Sequence, residues 1–83
     1  MEVVLKGKKV TSEDVLMYKP NPKREGSMAH GRYGAYEEVE TLEAYFECAE
    51  KKFARADLRF DWEHGHLAVN GERYVDPQAK PAQ

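Results

Sequence analysis

"RADLRFDWEHGHLAVNGERYV", residues 55–75, decides the fold. Its first half fits two structures. Ala56, Leu58, Phe60 and Trp62 alternate with Arg55, Asp57, Arg59, Asp61 and Glu63, the period of a half-buried strand. Ala54, Leu58 and Trp62 also stand at i, i+4 and i+8, the period of a helix face, and Gly65 is a helix terminator. Beyond it, HLAV and ERYV flank Asn70-Gly71, the pair that favours a type I′ hairpin turn. The stretch is either a helix feeding a β-hairpin or a β-meander.

Upstream, Thr41 is an N-cap candidate opening "LEAYFECAEKKF". Leu42, Tyr45, Phe46, Ala49 and Phe53 share a face, and Glu47 and Lys51 are spaced for an i,i+4 ion pair. No Gly or Pro interrupts, so the apolar series continues through positions 42, 46, 49, 53, 56 and 60. One helix from Thr41 to about Glu63 is therefore a third reading, and the question becomes whether Cys48–Ala54 turns.

Nearer the N-terminus, Glu2–Lys6 reads as a short strand ending at Gly7. "TSEDVLMY" is either a short helix capped by Ser12 or a strand. Pro20, Pro22 and Gly26 make Lys19–Ser27 a break in the chain. Ser27 then caps a helix in which Met28, Arg32, Ala35 and Val39, with Ala29, Tyr33 and Tyr36, form an amphipathic stripe. Gly31 and Gly34 weaken that helix, and close approach of another backbone would explain them. Residues 77–83 are polar, with Pro77 and Pro81, and read as a flexible tail on a single domain of residues 1–76.

Composition narrows the function classes. Eighty-three residues make one small domain with a modest core. The single cysteine, Cys48, excludes a disulfide framework, which points to a reducing, cytoplasmic setting. No apolar run approaches membrane-span length, so no membrane partner is expected. The net charge of −2 hides a polarised chain. Residues 36–50 carry six Glu and no Lys or Arg, whereas residues 51–59 carry Lys51, Lys52, Arg55 and Arg59 against Asp57 alone. A basic face on a near-neutral protein still binds phosphates. Such blocks are also ordinary solvated or ion-paired surface, with Asp57, Asp61 and Glu63 at hand.

"NPKREGSMAHGRYGAY" followed by "RADLRFDWEHGHLAV" resembles a pattern in small, uncharacterised proteins of bacteriophages and prophages. In it an N-P-x-R-x-G-S-x-x-H-x-R-[YF]-x-x-Y stretch precedes a Thr-led helix, an R-A-D-L-x-[YFW]-D segment and a final H-G-[FYH]-[IL]. The likeness runs from Asn21 to about Val69. It tips residues 55–63 towards helix, and its layout is similar to a winged helix-turn-helix. This chain has "CAEKKFARAD" where that pattern carries glycines between the second and third helices.

The expected fold is α+β: a three-helix, helix-turn-helix-like core, a C-terminal β-hairpin wing and a short N-terminal strand. The expected function is a non-catalytic, nucleic-acid-binding regulatory protein of phage or mobile-element type. The alternative is an interaction protein that binds a host polymerase or defence complex. The nucleic-acid candidates are Lys51, Lys52, Arg55 and Arg59 on the third helix, Arg73 on the wing, and Lys23 and Arg24 in the loop. Arg reads guanine edges in duplex DNA and Lys neutralises phosphates. A homodimer through the long helix or a hairpin edge is compatible with either function.

Other chemistries have weaker support. "GRYG" (Gly31–Gly34) matches the G-x-x-G loop that clamps RNA, in the wrong structural order. Asp61, His64 and His66, with His30, are metal-ligand types without ligand spacing, so no metal or cofactor is expected. Cys48 lies between Glu47 and Glu50, whose charge would raise its thiol pKa and blunt it as a nucleophile.

Overall fold

In the computed structural model, which describes residues 2–75, residues 51–63 are helical. This helix, α3 (Lys51–Glu63), buries Ala54, Leu58, Asp61 and Trp62. Ala56 is exposed and Phe60 is 46% exposed, so the strand reading of this segment is wrong. The i,i+4 series is the one that meets the core.

The single-helix reading fails as well. Helix α2 (Leu42–Cys48) begins at Thr41, whose Oγ1 accepts from Ala44 N at 3.2 Å, and ends where Ala49 turns extended (φ −78°, ψ 141°). Glu50 is also extended (φ −65°, ψ 129°). An uninterrupted helix advances about 100° per residue, which would align Phe53, Ala56 and Phe60 with Leu42 and leave Leu58 and Trp62 opposite. Two extended residues reset the phase, so that Leu58 and Trp62 reach the same core as Leu42 and Tyr45. Tyr45 Oη donates to Ala54 O at 2.7 Å across the break. Glu47 and Lys51 lie on different helices and form no ion pair among the described residues.

Helix α1 (Met28–Tyr36) begins at Ser27, whose Oγ accepts from His30 N at 3.1 Å. It buries Tyr33 and Tyr36 and ends three residues short of Val39. Neither Gly31 nor Gly34 meets another backbone: a Cβ on either would face open space. "GRYG" lies within this helix and forms no loop.

Two small antiparallel sheets complete the chain. Strands β1 (Glu2–Leu5) and β2 (Lys8–Thr11) form a hairpin turning at Lys6-Gly7, with Gly7 at φ 73°. The sequence suggests only the first of these strands. Val3, Leu5 and Val10 face inward, and β1 packs on α3. Strand β3 (Leu16–Tyr18) replaces the helix that Ser12 would have capped. Asp14 Oδ2 accepts from Thr11 N at 2.8 Å and bends the chain there instead. Strand β3 pairs with β4 (Leu67–Val69), and β4 with β5 (Glu72–Arg73), giving a sheet of order β3-β4-β5. The β4–β5 connection is Asn70-Gly71, both residues at positive φ (51° and 87°), as a type I′ turn requires. The fold is α+β; residues 77–83, read as a tail, lie outside the described residues.

Candidate nucleic-acid interface

Lys51, Arg55 and Arg59 are four residues apart, so they run along one flank of α3, with Lys52 beside them. All four are exposed. What decides the character of this flank is where the neighbouring acids go. Asp57 turns to α1: Arg32 Nε donates to its Oδ2 at 2.7 Å, Arg32 Nη2 to its Oδ1 at 3.3 Å, and Tyr36 Oη to its Oδ2 at 2.7 Å. The Asp57 carboxylate in turn holds the Arg32 guanidinium above its ordinary pKa. Asp61 turns to the core, its side chain 2% exposed, with Lys23 Nζ 3.0 Å from Oδ1. That contact is off the axis of a hydrogen bond, but an ion pair depends on proximity rather than alignment. Among the described residues only Glu63 pairs with the flank, 3.6 Å from Arg59. Lys51, Lys52 and Arg55 have no ion pair among the described residues.

Between α2 and α3 the flank borders a depression of about 280 Å³. Phe46, Ala49 and Ala54 line it, with Lys51 and Arg55. The Arg55 guanidinium stands 5.6 Å from the Phe46 ring and Lys52 Nζ 5.1 Å from the Phe53 ring. Each charged group thus lies over an aromatic ring at cation–π distance.

The other candidates are placed differently. Arg73 is exposed on β5, with Nη1 donating to Gly65 O at 3.0 Å, which holds it beside the C-terminal end of α3. Arg24 is exposed, its carbonyl accepting from Ser27 Oγ at 2.6 Å. Lys23 is not a surface cation. Its side chain is 16% exposed, paired with Asp61 and 4.1 Å over the Phe60 ring. The structure also places Lys6 and Lys8 around the same groove as Arg73, although neither was a sequence candidate. The "KGKK" run at residues 6–9 carries that signal in the sequence, as a basic cluster at a glycine turn.

Many polar residues of the Asn21–Tyr36 stretch serve as fasteners. Asn21 Nδ2 donates to His30 O at 3.0 Å, and its Oδ1 accepts from Lys23 N at 3.0 Å. Tyr33 Oη donates to Lys19 O at 2.7 Å. With Arg32–Asp57, Tyr36–Asp57 and Lys23–Asp61, these bonds tie the Pro-rich loop and α1 to the inner side of α3. The outer flank is left clear of them.

Among the described residues, no group of three His, Cys, Asp or Glu side chains is arranged to hold a metal. His64 Nδ1 lies 2.9 Å from Phe60 O, so the ring nitrogen carries a proton and donates there. Cys48 is exposed, and what raises its thiol pKa is partial burial rather than the adjacent glutamates. No helix of the described residues is long and apolar enough to cross a membrane. No family model, curated protein or solved structure matches this chain.

Proposed function

We propose that this chain is a small duplex-DNA-binding module of winged-helix type. In this reading α3 lies against the duplex and the β4–β5 hairpin acts as its wing. The observation that carries it is the sorting of charge on α3. Both aspartates are drawn inward by Arg32 and Lys23; among the described residues, Lys51, Lys52 and Arg55 are left without an ion pair and Arg59 pairs with the partially exposed Glu63. Of the six glutamates of residues 36–50, five precede α3, and the sixth, Glu50, is its N-cap residue beside Lys51. A cationic helix flank about 12 Å long, from Lys51 to Arg59, suits the phosphates beside a groove. The phage or mobile-element setting rests on the sequence resemblance, and regulation is the role proposed with it.

The test is a mobility shift or anisotropy titration on random-sequence duplex DNA at about 50 and 200 mM salt. Wild-type affinity is expected to fall steeply between the two, with a log–log slope of about −3 to −4 for four phosphate contacts. Arg55→Ala is expected to weaken binding by about 1–3 kcal/mol if it reads a base edge, or to reduce the slope by about one if it meets a phosphate. No binding at the lower salt would reject the proposal and leave the host-protein reading.

A further inference from the structure

We propose that the groove between the β1–β2 turn and β5 is a second phosphate-binding site for the same duplex, with the β1–β2 hairpin serving as a second arm. The inference rests on the DNA reading of α3 and extends it to Lys6 and Lys8, which were not sequence candidates.

The groove has a volume of about 360 Å³, and Lys6, Lys8, Trp62, Glu72, Arg73 and Tyr74 are among its walls. Among the described residues, three cations thus face one carboxylate. Lys8 Nζ is paired to Glu72 at 3.0 Å, and the Glu72 side chain is 72% exposed. Lys6 is exposed and has no ion pair among the described residues. Arg73 uses one nitrogen on Gly65 O, and among the described residues its other donors have no partner.

Trp62 joins this groove to α3. It belongs to the helix, is 4% exposed, and its Nε1 donates to Lys6 O at 3.4 Å. That bond and the packing of β1 on α3 fix the β1–β2 turn beside the last turns of the helix. Arg59 lies three residues before Trp62, so the flank of Lys51, Arg55 and Arg59 leads into the groove. From Lys51 to Trp62 the helix rises about 17 Å, the length of roughly five base pairs of B-DNA. An isolated cationic flank would meet one short run of phosphates. This one continues into a cleft whose cations come from two further strands, and a phosphodiester backbone is the extended anion that follows such a track. Trp62 and Tyr74, ring centroids 5.8 Å apart, give the cleft an apolar wall on which sugar atoms rest.

The experiment is an anisotropy titration of a labelled 20-base-pair random duplex, about four times the α3 footprint, with wild type and four variants at two salt concentrations. Circular dichroism serves as the folding control. Lys6→Ala is expected to weaken binding roughly three- to tenfold and to lower the salt slope by about one. Glu72→Gln removes the carboxylate of the groove and releases Lys8, so it is expected to tighten binding by a similar factor. Lys9→Ala removes the same charge as Lys6→Ala, but Lys9 is paired with Glu2 at 3.3 Å and is not part of the groove wall, so it sets the size of a general charge effect. Arg55→Ala reports on α3. If wild type binds and Arg55→Ala weakens it, but Lys6→Ala does no more than Lys9→Ala, the groove is not a contact and the α3 reading stands. Unchanged or weaker binding by Glu72→Gln overturns the groove in the same way. Absence of wild-type binding removes both readings together.

Discussion

Asp61 lies on the same face of α3 as Ala54, Leu58 and Trp62, where an ionised carboxylate loses its hydration. Burial raises its pKa above the ordinary 3.8, and Lys23 works against that shift. His66, at the start of the last hairpin, is the opposite case. Burial, with Lys19 and Lys23 close by, lowers its pKa from 6.5 to about 4. Between those two values the unfolded chain binds a proton on His66 that the folded chain refuses. Stability therefore rises with pH across that window, is fully present above 6.5, and is lost as the pH falls towards 4. Asp61 acts in reverse: the folded chain holds its proton longer, so its contribution falls as pH climbs from 3.8 through the raised value. Urea denaturation from pH 4 to 7 is expected to show a rise of at most about 1.4 kcal/mol per pH unit from His66. His66→Gln should flatten that rise and Asp61→Asn should steepen it. A profile unchanged by both variants would contradict these assignments.

At the scale of elements, α1 carries two glycines that its packing does not need. Gly31 and Gly34 have helical backbone, and a side chain at either would stand in open space. Alanine at both positions is expected to stabilise the fold by about 1–2 kcal/mol in total, by restricting the unfolded chain. Thermal unfolding of the double variant would show it as a rise of roughly 4–8 °C per kcal/mol; no rise would mean the glycines have a role in the folded state. The same helix shows what the sequence discloses and what it hides. Caps at Ser27 and Thr41 and the Asn70-Gly71 turn are local chemistry, legible residue by residue. The helix at 51–63 and its buried Ala54, Leu58 and Trp62 follow from spacing. The break at Ala49-Glu50 does not, because no local residue imposes it; the energy that selects it comes from burying Leu58 and Trp62 against strands far away in sequence. Strand β2 escapes notice, and β3 stays undecided between helix and strand, for a similar reason. Each is short, and each is made a strand by its partner. In the candidate interface, Lys51, Lys52, Arg55 and Arg59 are legible as a basic run. The withdrawal of Lys23 onto Asp61 is not, because the two are brought together only by the tertiary fold.

For the molecule as a whole, one core joins both sheets and the helices. Val3, Leu5 and Val10 from the first hairpin, Leu16 from β3, Tyr33 and Tyr36 from α1, Leu42 and Tyr45 from α2, and Leu58 and Trp62 from α3 belong to a single apolar cluster. No element keeps a core of its own, so the domain is expected to unfold in one step. Trp62, the sole tryptophan, reports on this directly: it touches the first hairpin through Lys6 and the last through Tyr74. Its fluorescence and the far-ultraviolet dichroism should change at the same denaturant concentration. Separated midpoints would show that the β1–β2 hairpin detaches before the rest.

The tip of the last hairpin sets a limit on how long the molecule stays chemically intact. Asn followed by Gly is the dipeptide most prone to lose ammonia, because the small glycine lets its amide nitrogen attack the asparagine side chain. Here the Asn70 amide is held at both ends, Oδ1 accepting from Val15 N at 2.9 Å and Nδ2 donating to Asp14 Oδ1 at 3.2 Å. While those bonds last, the side chain is restrained against bending back on Gly71, so ageing proceeds only as fast as the tip opens. Once it occurs, the product places a new carboxylate against that of Asp14, which is already held below its ordinary pKa by Thr11 and Asn70. The change does not reverse by reclosing: a donor to Asp14 has become a repelling charge.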